Sequence, residues 1–385
     1  MARILIIHPT LMAKGGGELV CMNVLEALQE KHDVDLLTVS DPDFTELNKY
    51  YATSVTNINI RLIDGLSAIS HRLPKNRFGK LKMAFLESYI INNDLGTKYD
   101  LLFSTYNELR VPCKSIQYIH FPYTDRNVHP NADDFSTSIY SAYDWICDVV
   151  GPSLQGNKEN TEYLSNSDWT GDKVDKALGV NSRTVYPPVD TSDFDPLDWE
   201  SRENGFVTVG RISPEKNILR NINIISKLHK RNDDVHYHII GPKMDRYSSP
   251  FSESYCDKVM RKCEKYEFIH HEGEVSRDRL IELISTHKYG LHGMDHEHFG
   301  IAVAELIAGG TIPFVPQGGG QQEVVGHCDD VMYDSVDDAV QKIESILRSE
   351  EKQKSVQQRL PNIDENFGRS RFQHEIKQIT DEVVS

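Results

Sequence analysis

The stretch His296–Gly320, HEHFGIAVAELIAGGTIPFVPQGGG, constrains the fold of this chain more than any other. Its Ala/Ile/Leu run reads as a helix that stops at Gly309-Gly310, and Thr311 to Pro316 follows at once as an apolar β-run. With Tyr289 to His292 as the strand before it, the order strand, short loop, helix, strand is one βαβ unit. In such a unit the ligand binds at the helix N-terminus, outside the carboxyl end of the first strand. The free N–H groups of the first turn face outward there with partial positive charge, which suits a phosphate. Gly300 has no Cβ, so an anion can approach the backbone closely. Glu297 lies ahead of the helix, and Glu305 sits within it, where the apolar pattern calls for an inert side chain. Acidic residues early in a helix ordinarily complement its dipole. That reading leaves unexplained an E-x7-E spacing followed by Gly-Gly and a strand.

A second junction of the same kind precedes it. Gly205 to Val209 reads as a strand, then GRISPEKN (residues 210–217) leads into a helix reaching about Lys230. Ser213 or Asn217 can cap that helix, and Pro214 suits a first turn. Arg211 and Lys216 thus crowd a strand–helix junction with only Glu215 as acidic company. On an open surface such a pair is unremarkable. Facing another helix N-terminus it is a diphosphate clamp, Arg as the planar fork and Lys as a point charge.

The first half follows the same grammar. Arg3 to His8 is an apolar β-run, Lys14-Gly-Gly-Gly-Glu18 a glycine loop, Leu19 to Gln29 a helix and Val34 to Val39 a second strand, which makes a Rossmann-like half. A glycine loop alone is as readily a plain tight turn. Strands at Leu101 to Thr105 and Ser115 to His120 follow, the second ending in QYIHFP. His120 therefore lies at a strand's carboxyl end, where an α/β sheet puts its working residues. Tyr123 to Arg126 continue that loop, and helical patterns cover about Asp133 to Val149 and Thr170 to Leu178. In Arg183–Asp190, RTVYPPVD, the double proline can continue neither sheet nor helix, so the domain boundary falls there. Three parts are expected: 1–190, 191–365 and a closing helical segment 366–385.

The chain resembles the family 4 retaining glycosyltransferases of the GT-B fold, through EHFGIAVAELIAGGTI, GRISPEKN, the glycine loop, QYIHFP and YPPVD. Within that family it is most similar to the α-1,2-mannosyltransferases that extend the dolichol-linked oligosaccharide. The resemblance implies an α/β GT-B fold, two Rossmann-like domains facing across a cleft, with the C-terminal helix crossing back to the first. It implies that Glu297 and His120 hold the transferred hexose, and that Phe299, Gly300 and Ile301 offer backbone N–H groups to the diphosphate. Glu305 would accept from the nucleotide ribose, Arg211 and Lys216 would meet the leaving phosphates, and Gly16 and Gly17 would line the cleft. The implied reaction moves a hexose from a nucleotide-sugar, a substrate rather than a cofactor, to a glycan acceptor with retained configuration. GDP-mannose and a polyprenyl- or dolichol-linked glycan rest on the subfamily likeness alone. A phosphorylase of this fold would need a pyridoxal-binding lysine, an epimerase would turn over donor without acceptor, and a non-catalytic sugar-binding protein would ignore the nucleotide. The clamp together with E-x7-E favours the transferase.

No metal is expected at the site. Asp33-Val-Asp35 matches the Asp-x-Asp string of metal-dependent transferases but opens a strand, and acidic chains produce such strings by chance. The net charge of −16 over 385 residues repels nucleic acid. Six scattered cysteines without a CxxC pair read as reduced thiols of a cytoplasmic protein. No apolar run approaches the roughly 20 residues of a membrane span. Arg-Ile-Leu-Ile-Ile at the N-terminus is a strand rather than a signal peptide, unlike the membrane anchor of the family's eukaryotic members. Within 71–90, Arg72, Lys75, Arg77, Lys80 and Lys82 come with no acid among them, and Leu81, Phe85, Leu86, Tyr89 and Ile90 share one helix face. Such a segment is either a solvated loop entering a core helix or a peripheral dock on an anionic, cytoplasmic membrane face.

Overall fold

The computed structural model describes residues 1–70, 75–122, 146, 147, 149, 151, 158–244 and 253–385. The chain divides into two compact units, Met1–Pro188 with Arg369–Ser385, and Val189–Gly368. The loop expected at Tyr123 to Arg126, and nearly all of the helix expected at 133–149, lie outside the described residues.

The first unit is built on seven parallel strands: β1 (Arg3–Ile7), β2 (Asp33–Thr38), β3 (Asn59–Leu62), β4 (Leu101–Ser104), β5 (Ser115–Ile119), β6 (Thr161–Ser165) and β7 (Arg183–Thr184). Their order, β3-β2-β1-β4-β5-β6-β7, reverses between β1 and β4, where Ile4 pairs with Val34 on one side and Leu101 on the other. A strand with neighbours on both sides and helices on both faces must be apolar throughout, and Ile4 to Ile7 are fully buried. Alternation then splits them. Ile4 and Ile6 join the core formed with α1 (Gly16–Leu28), while Leu5 and Ile7 meet Met83, Leu86 and Ile90 of α2 (Lys75–Asn92).

The apolar face of α2 is therefore core. Leu86 and Ile90 are 0% and 1% exposed, and even Lys82 is 5% exposed. Of the two readings of this segment, the helix entering a core therefore holds for Leu86 and Ile90, which gain nothing further from a bilayer, while Leu81, Phe85 and Tyr89 are half-buried. Arg72 and the side chains of Lys75 and Arg77 lie outside the described residues. Asp35 is likewise committed to the fold: it accepts from Arg61 Nε at 2.7 Å, Asn59 Nδ2 at 3.1 Å and the Tyr99 hydroxyl.

The second unit has six parallel strands in the order β10-β9-β8-β11-β12-β13. They are β8 (Glu203–Val209), β9 (Tyr237–Ile240), β10 (Ile269–Gly273), β11 (His287–Leu291), β12 (Ile312–Pro316) and β13 (Met332–Tyr333). The helices that matter for the site are α3 (Ile218–His229), α4 (Arg277–Thr286) and α5 (Ile301–Ala308). The switch lies between β8 and β11, so the loops leaving these two strands share one edge of the sheet. The last helix, α6 (Arg369–Val384), belongs to the first unit: Phe372, Ile376 and Ile379 pack into the core of α1.

Candidate active site

The second unit gathers its candidate site residues on the loops after β8 and β11. Gly210, at φ +153, ends β8 and leaves Arg211 exposed, with its guanidinium 3.5 Å from the Met244 sulfur. A 3-10 turn, Pro214–Lys216, then brings Lys216 back over Gly210, where an added Cβ would lie 3.7 Å from its stem. Asn217, left-handed at φ +49, starts α3 and donates to Asp295 at 3.1 Å rather than capping the helix with its side chain. Gly293, after β11, lets this turn come close, since a Cβ there would meet the Lys216 carbonyl at 2.5 Å.

The result is a close ion pair. Lys216 Nζ donates to Glu297 Oε2 at 2.5 Å, and His292 Nε2 lies 3.4 Å from the same oxygen. Burial penalises the Glu297 charge, but the Lys216 ammonium and His292 outweigh it and hold the carboxyl well below the usual carboxylate range. Burial keeps His292 below the ordinary histidine value, and the lysine opposes what the glutamate would add. The Glu297 backbone is held as well. Its carbonyl accepts from Gly320 N at 2.7 Å, and a Cβ on Gly319 would strike the Glu297 nitrogen at 2.7 Å.

Phe299 is buried against Phe367, and Gly300 caps α5 at φ +110, a conformation only glycine adopts readily. Ile301 opens the helix, and the Gly300 carbonyl accepts from Val303 N at 2.9 Å and Ala304 N at 3.1 Å. Glu305, one turn on, does not stand open: Arg277 at the start of α4 donates to its carboxylate and reaches the Asp190 carbonyl at 3.4 Å.

In the first unit the structure brings Gly17 and His120 together, an added Cβ on Gly17 lying 3.4 Å from His120 Nε2. That nitrogen lies 3.1 Å from the Thr105 carbonyl, and the His120 backbone N–H donates to Asn107 Oδ1 at 2.9 Å. Gly16 is the first residue of α1, behind Gly15 as its cap. Glu18 closes that cap, accepting from Gly15 N at 2.9 Å, and its other oxygen lies 3.7 Å from buried His8. Burial opposes a charge on His8, yet Cys21 and Glu18 outweigh it and push the imidazole up to about 9. His8, His292, Gly293 and Arg277 did not stand out in the sequence. His8 had a legible signal, the end of an apolar strand facing a glycine loop. Arg277 had none, because its partner lies 28 residues away.

Two α/β units with parallel sheets of this order define a GT-B glycosyltransferase fold. Residues 189–362 match the family described as glycosyl transferases group 1, so the second unit is a group 1 domain and the chain is a glycosyltransferase. It is 23% identical to the GDP-Man:Man(3)GlcNAc(2)-PP-Dol alpha-1,2-mannosyltransferase of Dictyostelium discoideum, over 96% of this chain and 82% of that protein. The Homo sapiens protein of the same name is 24% identical over 88% of this chain and 78% of its own length. Anabaena HepE, solved with UDP and glucose, shares the fold at a TM-score of 0.68 and 13% identity, over 99% of this chain and 100% of that one.

Proposed function

We propose that the chain is a retaining, metal-independent hexosyltransferase of family 4 that moves mannose from GDP-mannose to a polyprenyl-linked glycan in glycan biosynthesis. The observation that carries this is the Lys216–Glu297–His292 group beside the start of α5, on a chain similar to proteins named as GDP-mannose transferases. Breaking the glycosyl–phosphate bond puts negative charge on the diphosphate and positive charge on the sugar. Lys216, Arg211 and the N–H groups of Phe299, Gly300 and Ile301 supply preorganised positive charge for the first. Glu297, kept ionised by its lysine, accepts from the hexose hydroxyls, and the family resemblance gives His120 a hexose-binding role as well. Glu305, steadied by Arg277, takes the ribose diol with its remaining lone pairs. A donor phosphate oxygen accepts the acceptor's proton, so no separate base is required.

Access to a lipid-linked acceptor is proposed to be peripheral, at the cytoplasmic face of a membrane. Among the described residues no helix is long and apolar enough to cross a membrane. Docking would rest on Arg72, Lys75, Arg77 and Lys80, worth about 1 kcal/mol each beside an anionic leaflet and reduced by repulsion from the rest of the chain. The chain should sediment with anionic but not neutral vesicles at low salt, and changing these four residues to Ser should abolish it. The reaction itself is tested by offering GDP-mannose or UDP-glucose with a polyprenyl-diphosphate oligosaccharide. An α-mannosyl product from GDP-mannose alone, unaffected by EDTA, is expected. A preference for UDP-glucose, a β-linked product, or donor turnover without acceptor would each overturn the reading.

A further inference from the structure

At the opposite edge of the second sheet, three histidines and a glutamate gather at strand starts. Register places them there: Tyr237 and Tyr289 both pair with Phe206, so His236, His238, His287 and Glu203 lie around the first residues of β8, β9 and β11. His236, His238 and His287 each offer one ring nitrogen, and the three lie within 4.8 Å of one another.

The outer nitrogens of these rings are already held. His287 Nδ1 lies 2.7 Å from the Leu283 carbonyl, His238 Nδ1 lies 2.7 Å from Glu272 Oε1, and His236 Nδ1 lies 3.3 Å from the Asp234 carbonyl. A carbonyl or carboxylate on one nitrogen is how metal-binding histidines are oriented, the other nitrogen keeping its lone pair for the ion. His236 Nε2 and His287 Nε2 face each other at 3.1 Å. A proton on either nitrogen makes a hydrogen bond at that distance; with both Nδ1–H groups given to carbonyls, both Nε2 atoms carry lone pairs and a shared cation takes the proton's place. Two nitrogens of a tetrahedral zinc site stand about 3.3 Å apart, given Zn–N near 2.05 Å.

We propose that His236, His238 and His287 bind one divalent transition-metal ion of the zinc type, with Glu203 as a fourth, carboxylate ligand. Glu203 Oε2 lies 3.3 Å from His236 Nε2. Gly205 makes room for the rings, since a Cβ there would lie 2.3 Å from both His236 Nε2 and His287 Cδ2. The widest nitrogen separation, 4.8 Å, closes by about 1.5 Å on binding through side-chain rotation. The half-exposed His236 and the exposed Glu203 leave an entry path. Imidazole and carboxylate donors select zinc, cobalt or nickel over magnesium and calcium. The seven residues of β8 separate this cluster from Gly210 by about 20 Å, so the ion ties strand ends together and takes no part in sugar transfer.

The test uses the full chain, stripped with a chelator and dialysed. Calorimetry with Zn2+ and visible absorption with Co2+ should each give one equivalent per chain, with a raised melting temperature and turnover unchanged. The double variant His236→Gln/His238→Gln, checked for native circular dichroism, should lose that equivalent, and Glu203→Gln should weaken binding about tenfold. If the double variant does not fold, Glu203→Gln alone decides. The proposal is overturned if the wild type takes up no equivalent, if the variants bind as tightly as it does, or if the Co2+ spectrum shows thiolate charge-transfer bands. The first of these outcomes would mean that a proton, not a metal, settles the facing lone pairs.

Discussion

Each unit sets a buried histidine against a glutamate beside a glycine-rich turn, and the two pairs are charged in opposite ways. In the second unit Lys216 supplies the cation, so Glu297 stays ionised and burial keeps His292 neutral. In the first unit Lys14, within the loop itself, pairs with Glu46 instead, and His8 carries the charge beside Glu18. A buried carboxylate needs one compensating positive charge, and the most available cation provides it. A lysine beside phosphate sites can pass that charge to a developing phosphate. An imidazolium locked between Glu18 and Thr105 cannot, which suits the first pair to fixing the glycine loop.

The largest test removes the lysine. Lys216→Met should lower turnover about 100- to 1,000-fold, the usual cost of one preorganised charge donor. It should also destabilise the unit by about 3 kcal/mol, the lower end for breaking a buried pair, since both side chains keep 16–18% exposure. His292 should then take up the proton, turning the second pair into a copy of the first, which NMR titration would register. Wild-type turnover with only a raised KM would refute the role given to Lys216.

How much of this could be read beforehand follows from range. The βαβ unit around α5 was legible because its signals are local: an apolar run, Gly-Gly as its stop, and a strand at once. The Lys216–Glu297 contact was not, because 81 residues separate the partners and only the β8–β11 pairing brings their loops together. Periodicity found the apolar face of α2 but could not say what covers it, and Leu5 and Ile7 do. The glycines illustrate the same limit. Gly300 was singled out for lacking a Cβ, whereas its φ of +110 is a backbone requirement visible only once the turn is built.

The first unit should be the more sensitive to alkali. A histidine raised from 6.5 to about 9 contributes stability that is fully present below about pH 6.5 and is lost as pH rises through about 9. The full amount is on the order of 3 kcal/mol. Denaturation midpoints of the wild type should therefore fall between pH 7 and 9.5, and His8→Gln should remove most of that slope. Parallel pH profiles for the two proteins would show that His8 carries no charge.

A smaller effect is expected at Glu305, another carboxylate of the second unit held by a cation. Glu305→Gln should cost about 1.5–3 kcal/mol of nucleoside diphosphate affinity, the worth of a charged hydrogen bond. The 2′-deoxy nucleotide should lose a similar amount on the wild type, and Arg277→Lys should lose less than Arg277→Ala. Equal binding of ribo- and deoxyribonucleotides by the wild type would assign Glu305 to structure alone, as the partner of Arg277.

The smallest effect sharpens the comparison from the side of the glycines. Gly319 cannot take a side chain: its φ is +83 and a Cβ would lie 2.7 Å from the Glu297 backbone nitrogen. Gly17 is different, lying within α1 without a positive φ and facing His120 Nε2 at ordinary contact distance, 3.4 Å. Alanine in a helix is favoured over glycine by about 0.5–1 kcal/mol. Gly17→Ala should therefore leave stability unchanged or raise it by up to that amount, while the added methyl narrows the space in front of His120 and lowers turnover. A stabilised variant with full activity would show that no substrate passes between Gly17 and His120. A destabilised one would show that the glycine loop, like the turn around Gly319, is held by backbone geometry rather than by the room it leaves.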